Sequence, residues 1–380
     1  MDTSGWYNQA KSGCSRANHS AKEAIVALSR RDVLKLAGVG LGTLALLPAR
    51  RRVYAEFPQA KVLGRVCIGG KVEVKARPDA DSPTVAVLYE DAVVPWEREV
   101  VGVNLHRVNQ RFVQTPQGYI WAPTLQPVRN QPNKPLQRFP YANDGMWAEV
   151  TIPYVDIALA NPPARSPWLK DATRPRLYYS QVLWIDKIKQ GNDGAVWYRI
   201  NERYGSYGDI FWARAEAFRP ITPEEITPIH PNAKNKRVVI DVNYQTMACY
   251  EGKEEVFFTR VSTGAKYNAS GQAVDKWATP VGTYPIWRKL ISVHMSGGTT
   301  GGGYDLPGIG WTVLFMGTGI SIHSTFWPND YGVPRSHGCV NALPEDAKWV
   351  FRWTLPVVPY DPGDVTIGMP GGTKIEVVEG

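Results

Sequence analysis

The strongest constraint on this chain is its punctuation, because short apolar runs are repeatedly cut by Gly, Pro, Asn or Asp before a helical period can establish itself. From Gly64 to Val128 these runs include Lys71-Val-Glu-Val-Lys-Ala-Arg-Pro-Asp, Thr84-Val-Ala-Val-Leu, Leu105-His-Arg-Val and Gly118-Tyr-Ile-Trp-Ala-Pro. From Arg237 the pattern is again strand after strand: Arg237-Val-Val-Ile-Asp-Val, Thr246-Met-Ala-Cys-Tyr, Glu255-Val-Phe-Phe-Thr, Gly282-Thr-Tyr-Pro-Ile-Trp, Trp311-Thr-Val-Leu-Phe-Met, Ile320-Ser-Ile-His and Thr373-Lys-Ile-Glu-Val-Val. The 35 Gly and 30 Pro suit many short strands and turns. Only Pro344 to Arg352 reads as a helix, with Glu345 and Asp346 in its first turn and Ala347, Val350 and Phe351 on one face. The expected class is therefore mainly β.

A length of 380 residues calls for two or three domains. Residues 129 to 145, rich in Asn, Pro and Gln, and residues 220 to 235, with Pro220, Pro223, Pro228 and Pro231, read as linkers. The expected division is a segment 1–56, modules 57–135 and 140–226, and a domain 235–380. The two modules echo one another. Trp197-Tyr-Arg-Ile, Asp209-Ile-Phe-Trp-Ala-Arg and Phe218-Arg-Pro-Ile follow the order of Leu105-His-Arg-Val, Gly118-Tyr-Ile-Trp-Ala-Pro and Leu125-Gln-Pro-Val. The first resembles a bacterial SH3-like domain, which implies a small β-barrel and a capacity for wall peptides or glycans. Tyr119, Trp121, Trp184 and Trp212 either line a groove for such a ligand or fill the cores of small barrels.

Of the formal net charge of +8, part sits in the first 52 residues, so the remainder is only mildly basic. No basic element interleaved with aromatics follows residue 60, which argues against a nucleic-acid partner. Ser29-Arg-Arg-Asp-Val-Leu-Lys followed by the apolar run Leu36 to Leu47 resembles a twin-arginine signal peptide, with Val33 where the pattern has Phe. That run is too short for a comfortable bilayer anchor. The implied location is the periplasm, cell wall or exterior, with membrane attachment only if the segment is retained. Val53-Tyr54-Ala55 offers small residues for cleavage.

Four cysteines sort by context. Cys14 precedes the apolar run, and Cys67 and Cys249 sit in strand-like surroundings as small hydrophobes, with a bridge between them as the alternative. No Cys-x-x-Cys pair, ligand cluster or phosphate loop suggests a metal or organic cofactor. Cys339 differs, because it lies in Arg335-Ser336-His337-Gly338-Cys339-Val340-Asn341, downstream of His323-Ser324 at a strand end. A thiol acts as a nucleophile when a neighbouring base populates the thiolate. His337 is too close in sequence for a well-aligned contact, whereas His323, on a separate strand, can approach from a fixed direction. Gly338 permits a tight turn whose N–H groups can face an oxyanion, the Ser324 carbonyl can orient His323, and Asn341 can brace the loop.

Ser-His-Gly-Cys-Val-Asn with an upstream His resembles the signature of the YkuD-type L,D-transpeptidases. The resemblance covers about residues 235 to 380, including the Thr279-Pro280-Val281-Gly282-Thr283-Tyr284 turn. It implies a YkuD-like β-sandwich with a short helix after the Cys motif, Cys339 as nucleophile, His323 as catalytic base, and Ser324, Ser336, His337, Gly338 and Asn341 in support. Twelve residues separate His323 from Ser336, fewer than the family's usual spacing. Tyr304, Trp311 and Arg335 are candidate substrate contacts, and His294 precedes a Gly-rich run, Gly297 to Gly303, suited to a lid.

The implied reaction is acyl transfer through a Cys339 thioester with a peptidoglycan tetrapeptide stem, resolved by an amine. The alternatives are an L,D-carboxypeptidase using water and a non-catalytic wall-binding protein. Neither the acceptor nor the oligomeric state is legible.

Overall fold

In the strand Lys236–Asp241 every second residue is buried, so Val238 and Ile240 enter the core while Arg237 and Val239 stay partly exposed. The computed structural model describes residues 57–141, 144–205, 207–267, 272–273, 277–297, 304–327 and 330–380. The segment 1–56, expected from its sequence to direct export, and most of the Gly-rich run lie outside the described residues.

Lys236–Asp241 pairs antiparallel with Thr246–Glu251 and parallel with Lys374–Val378, and Glu254–Arg260 and Gly282–Pro285 complete a five-stranded sheet at its edges. Gly252 and Lys253 turn the chain between Thr246–Glu251 and Glu254–Arg260, with Gly252 at φ +63°. A second five-stranded sheet runs Val340–Ala342, Ser321–Ser324, Tyr304–Leu314, Arg288–Gly297 and Asp364–Thr366. The two sheets share one core, with Met247, Cys249 and Ile375 from the first and Ile291, Val313, Ile322 and Val340 from the second. Ala347, Val350 and Phe351 of the helix Pro344–Trp353 join it on the face the sequence marks as apolar.

The strand Arg288–Gly297 is not legible as a strand because three of its buried residues are polar: Lys289, Ser292 and His294. Each has a dedicated partner. Lys289 Nζ donates to the carbonyls of Phe351, Thr354 and Pro356 at the helix C-terminus, Ser292 Oγ to that of Val182, and His294 lies between two carboxylates. Burial of polar groups is tolerated on those terms.

Residues 63–128 form a three-stranded sheet, in which Leu63–Val66 lies between Val93–Pro95 and Leu125–Val128, and a five-stranded sheet. Both contribute to a core that includes Val66, Val72, Val74, Val113, Ile120 and Leu125. Residues 146–220 supply a seven-stranded sheet. The sequence echo has a local counterpart: Gly118–Trp121, a 3-10 turn Ala122–Thr124 and Leu125–Val128 match Ile210–Arg214, a turn Ala215–Ala217 and Phe218–Pro220. Leu105 to Val108 does not follow it. That stretch lies in the loop before the strand Arg111–Thr115, with Leu105 and Val108 exposed. A helix the sequence does not announce, Pro167–Asp171, starts with Pro in its first turn and is too short to show a period.

Cys67 and Cys249 are free thiols, so no bridge joins them. Burial pushes the Cys67 thiol up to about 12, and burial likewise raises that of Cys249. Trp184 packs edge-on against Trp147 in the core. Trp121 donates its indole N–H to the Asn109 carbonyl, and Trp212 lies beneath Lys189 Nζ. Among the described residues no helix is long and apolar enough to cross a membrane.

Candidate active site

The strands Ser321–Ser324 and Val340–Ala342 run parallel, pairing Ile322 with Val340, His323 with Asn341 and Ser324 with Ala342. A parallel pair needs a connection of a dozen or more residues, and residues 325 to 339 meet that requirement. The short His323-to-Ser336 spacing is therefore compatible with the geometry. Ile322 and Val340 point into the core, so strand alternation places Ser321, His323, Cys339 and Asn341 together on the opposite face. Cys339 Sγ lies 3.7 Å from Ser321 Oγ.

His323 is buried, and its Nδ1 lies 2.8 Å from the Ser324 carbonyl oxygen. A carbonyl only accepts, so Nδ1 carries the proton and Nε2 is left available to the thiol. Burial alone would raise the Cys339 thiol. The hydrogen bond and charge of His323, with hydrogen bonds from Ser321, outweigh it and hold the thiol below its ordinary value.

The turn carrying Cys339 is tied from several sides. Ser336 Oγ donates to the Cys339 carbonyl and accepts the Gly338 N–H at 3.0 Å. The Ser336 backbone pairs with Thr263 and Ala265. Thr279 Oγ1 donates to the Gly338 carbonyl at 2.8 Å and accepts the Gly264 N–H at 2.9 Å. Gly338 adopts φ +121°, a conformation that favours glycine. Gly264 is required by contact, because a Cβ there would stand 1.9 Å from the Trp277 carbonyl oxygen.

The remaining expectations divide. The Gly338 N–H is committed to Ser336 and so is not an open oxyanion donor. Asn341 braces the site through its backbone, exchanging both hydrogen bonds with Ser262, while its buried Oδ1 has no hydrogen-bond partner among the described residues. His337 stands between Trp277, edge-on at 4.7 Å, and Tyr304 at 5.9 Å. Burial raises the Tyr304 phenol, and the Cys339 charge adds to it. Trp311 is not a substrate surface: it is 1% exposed and packs against Phe351. Arg335 does not present its charge to a ligand either, because its guanidinium pairs with Asp330.

Sequence reasoning missed Ser321, Thr279 and Trp327, whose ring is 6.1 Å from that of His323. Ser321 was available from the alternation with His323, and Thr279 opens a turn already noted. Among the described residues no group of three or more His, Cys, Asp or Glu side chains is placed to hold a metal.

The family profile of the YkuD L,D-transpeptidase catalytic domain matches residues 235–377. No curated protein matches. Among solved structures, a mutant of the Enterococcus faecium L,D-transpeptidase is 23% identical over 39% of this chain and 52% of that one, with a TM-score of 0.29. The NMR structure of the catalytic domain from the E. faecium enzyme is 22% identical over 39% and 99%, TM-score 0.28. An L,D-transpeptidase from Mycobacterium smegmatis is 20% identical over 50% and 98%, TM-score 0.29. The chain thus spans about half the length of the E. faecium mutant it matches. On the strength of the family profile, residues 235–377 form a YkuD L,D-transpeptidase catalytic domain.

Proposed function

We propose that the protein is an L,D-transpeptidase of peptidoglycan in which Cys339 carries the acyl group and His323 moves the proton. The observation that carries this reading is the His323 imidazole, oriented by the Ser324 carbonyl and holding the Cys339 thiol below its ordinary value. His323 Nε2 accepts the thiol proton, and the thiolate attacks the stem carbonyl between the L-centred third and D-centred fourth residues. Collapse of the tetrahedral intermediate breaks the C–N bond, and the imidazolium protonates the departing amine of the D-residue. An acceptor amine, deprotonated by His323, then attacks the thioester and returns the sulfur as thiolate. With Gly338 committed elsewhere, we assign the oxyanion contact to the backbone N–H of Cys339.

The setting is also proposed: two SH3-like modules at 57–135 and 140–226 ahead of the domain 235–380, exported through the twin-arginine route to act on wall stem peptides. The test is incubation of the purified chain with muropeptide monomers, read by mass. Dimers are expected, and tripeptides alone would make water the acceptor. If Cys339→Ala turns over stems at the wild-type rate, the mechanism is wrong.

A further inference from the structure

Three consecutive carbonyls leave the end of the strand that carries His323, and each accepts from a different part of the chain. The Ser324 oxygen accepts from His323 Nδ1 at 2.8 Å. The Thr325 oxygen lies 3.4 Å from Ser180 Oγ, in the region of the seven-stranded sheet. The Phe326 oxygen accepts from Arg65 Nη2 at 2.9 Å, from the first strand of the N-terminal region. The last two donors are more than a hundred residues from the loop they hold.

Arg65 is built into this position. It is 3% exposed, and its guanidinium also donates to Asp91 Oδ1 at 2.9 Å and to Gln126 Oε1 through Nε and Nη2. It lies 4.0 Å over the ring of Tyr178, which stacks on Phe326 at 5.8 Å. A planar fork with five donors suits such a site, and a buried guanidinium so satisfied has one geometry. Asn109 Nδ2 adds a second tether from the same region, donating at 2.8 Å to Asp330, the partner of Arg335 in the loop leading to the Cys motif.

We infer that Arg65 and Ser180 are positioning residues for the acyl-transfer site: by fixing the carbonyls of Phe326 and Thr325 they fix the Ser324 carbonyl that orients the His323 imidazole. The N-terminal regions are on this account part of the catalytic machinery's support, besides any ligand they bind. The inference rests on the proposed Cys339–His323 mechanism. Its physical basis is that a catalytic hydrogen bond is only as well aimed as the backbone that holds it, and misplacement by about 1 Å costs on the order of a hundredfold in rate.

The experiment uses the full chain with Arg65→Met, Ser180→Ala, Arg176→Met and His323→Ala. Arg176 pairs with Asp91 and Asp156 at the same junction but touches none of the three carbonyls, so it controls for a loss that is merely structural. Alkylation of Cys339 by iodoacetamide is followed across pH and mapped by peptide mass, alongside kcat and KM for a tetrapeptide stem. Arg65→Met and Ser180→Ala should move the alkylation midpoint upward, toward that of His323→Ala, and lower kcat about tenfold or more with little change in KM. Arg176→Met should lower the unfolding temperature and leave the alkylation profile in place. Ser180→Ala removes a single hydroxyl and keeps the test informative if Arg65→Met does not fold. Profiles of Arg65→Met and Ser180→Ala that coincide with wild type, while His323→Ala is displaced, overturn the inference alone. If His323→Ala is not displaced, the Cys339–His323 mechanism fails and the inference with it.

Discussion

Removing the charge of His294 should cost stability in a pH-dependent way. Its Nδ1 is 2.7 Å from Glu202 and its Nε2 2.6 Å from Asp305, and all three side chains are buried. Both ring nitrogens face carboxylates, so the doubly protonated imidazolium satisfies both contacts at once. Burial opposes the charge, but the two hydrogen bonds and the two negative charges outweigh it and raise the group from 6.5 to about 9. A raised value means that the native state holds the proton more tightly than the unfolded chain. The contribution is complete below about 6.5 and disappears as pH rises through about 9. At 1.36 kcal/mol per unit, the shift corresponds to about 3 kcal/mol. The assay is urea unfolding of wild type and His294→Gln from pH 6 to pH 9.5. The stability difference between them should shrink by about 3 kcal/mol across that window. A difference that stays constant would refute the charged clamp and leave only packing.

Two further outcomes follow from the C-terminal sheets. Lys289→Met keeps the length of the side chain but strips donors from the Phe351, Thr354 and Pro356 carbonyls. It should destabilise the domain by about 3 kcal/mol in denaturant unfolding. Gly338→Ala imposes a side chain at φ +121° with its Cβ 3.1 Å from Ile320 Cδ1. It should cost about 1–3 kcal/mol of stability, and acylation by a stem peptide should fall further than that loss explains.

The C-terminal domain was legible because its strands alternate cleanly and its motif is compact in sequence. Val238 and Ile240 announce a packed face, and Ser336 to Asn341 announce a nucleophile turn. Arg288–Gly297 stayed hidden because buried Lys289, Ser292 and His294 mask the apolar pattern, and their partners come from distant segments: Phe351, Val182 and Glu202. Trp311 and Arg335 were misread for a related reason. A large aromatic or a charge beside a motif suggests a ligand contact, and only the fold shows that Phe351 and Asp330 already occupy them. The role of Arg65 was beyond reach from sequence, since nothing in Gly64-Arg65-Val66 points to Phe326.

The central claim is that the sulfur of Cys339 carries the substrate. Mixing the purified chain with a tetrapeptide stem in the absence of an amine acceptor, quenching in acid and measuring intact mass tests it directly. The account predicts a gain equal to the mass of the stem less that of the released D-amino acid, localised to the peptide containing Cys339 and missing from Cys339→Ser. Stem turnover with the adduct on another residue, or undiminished in Cys339→Ser, would contradict it.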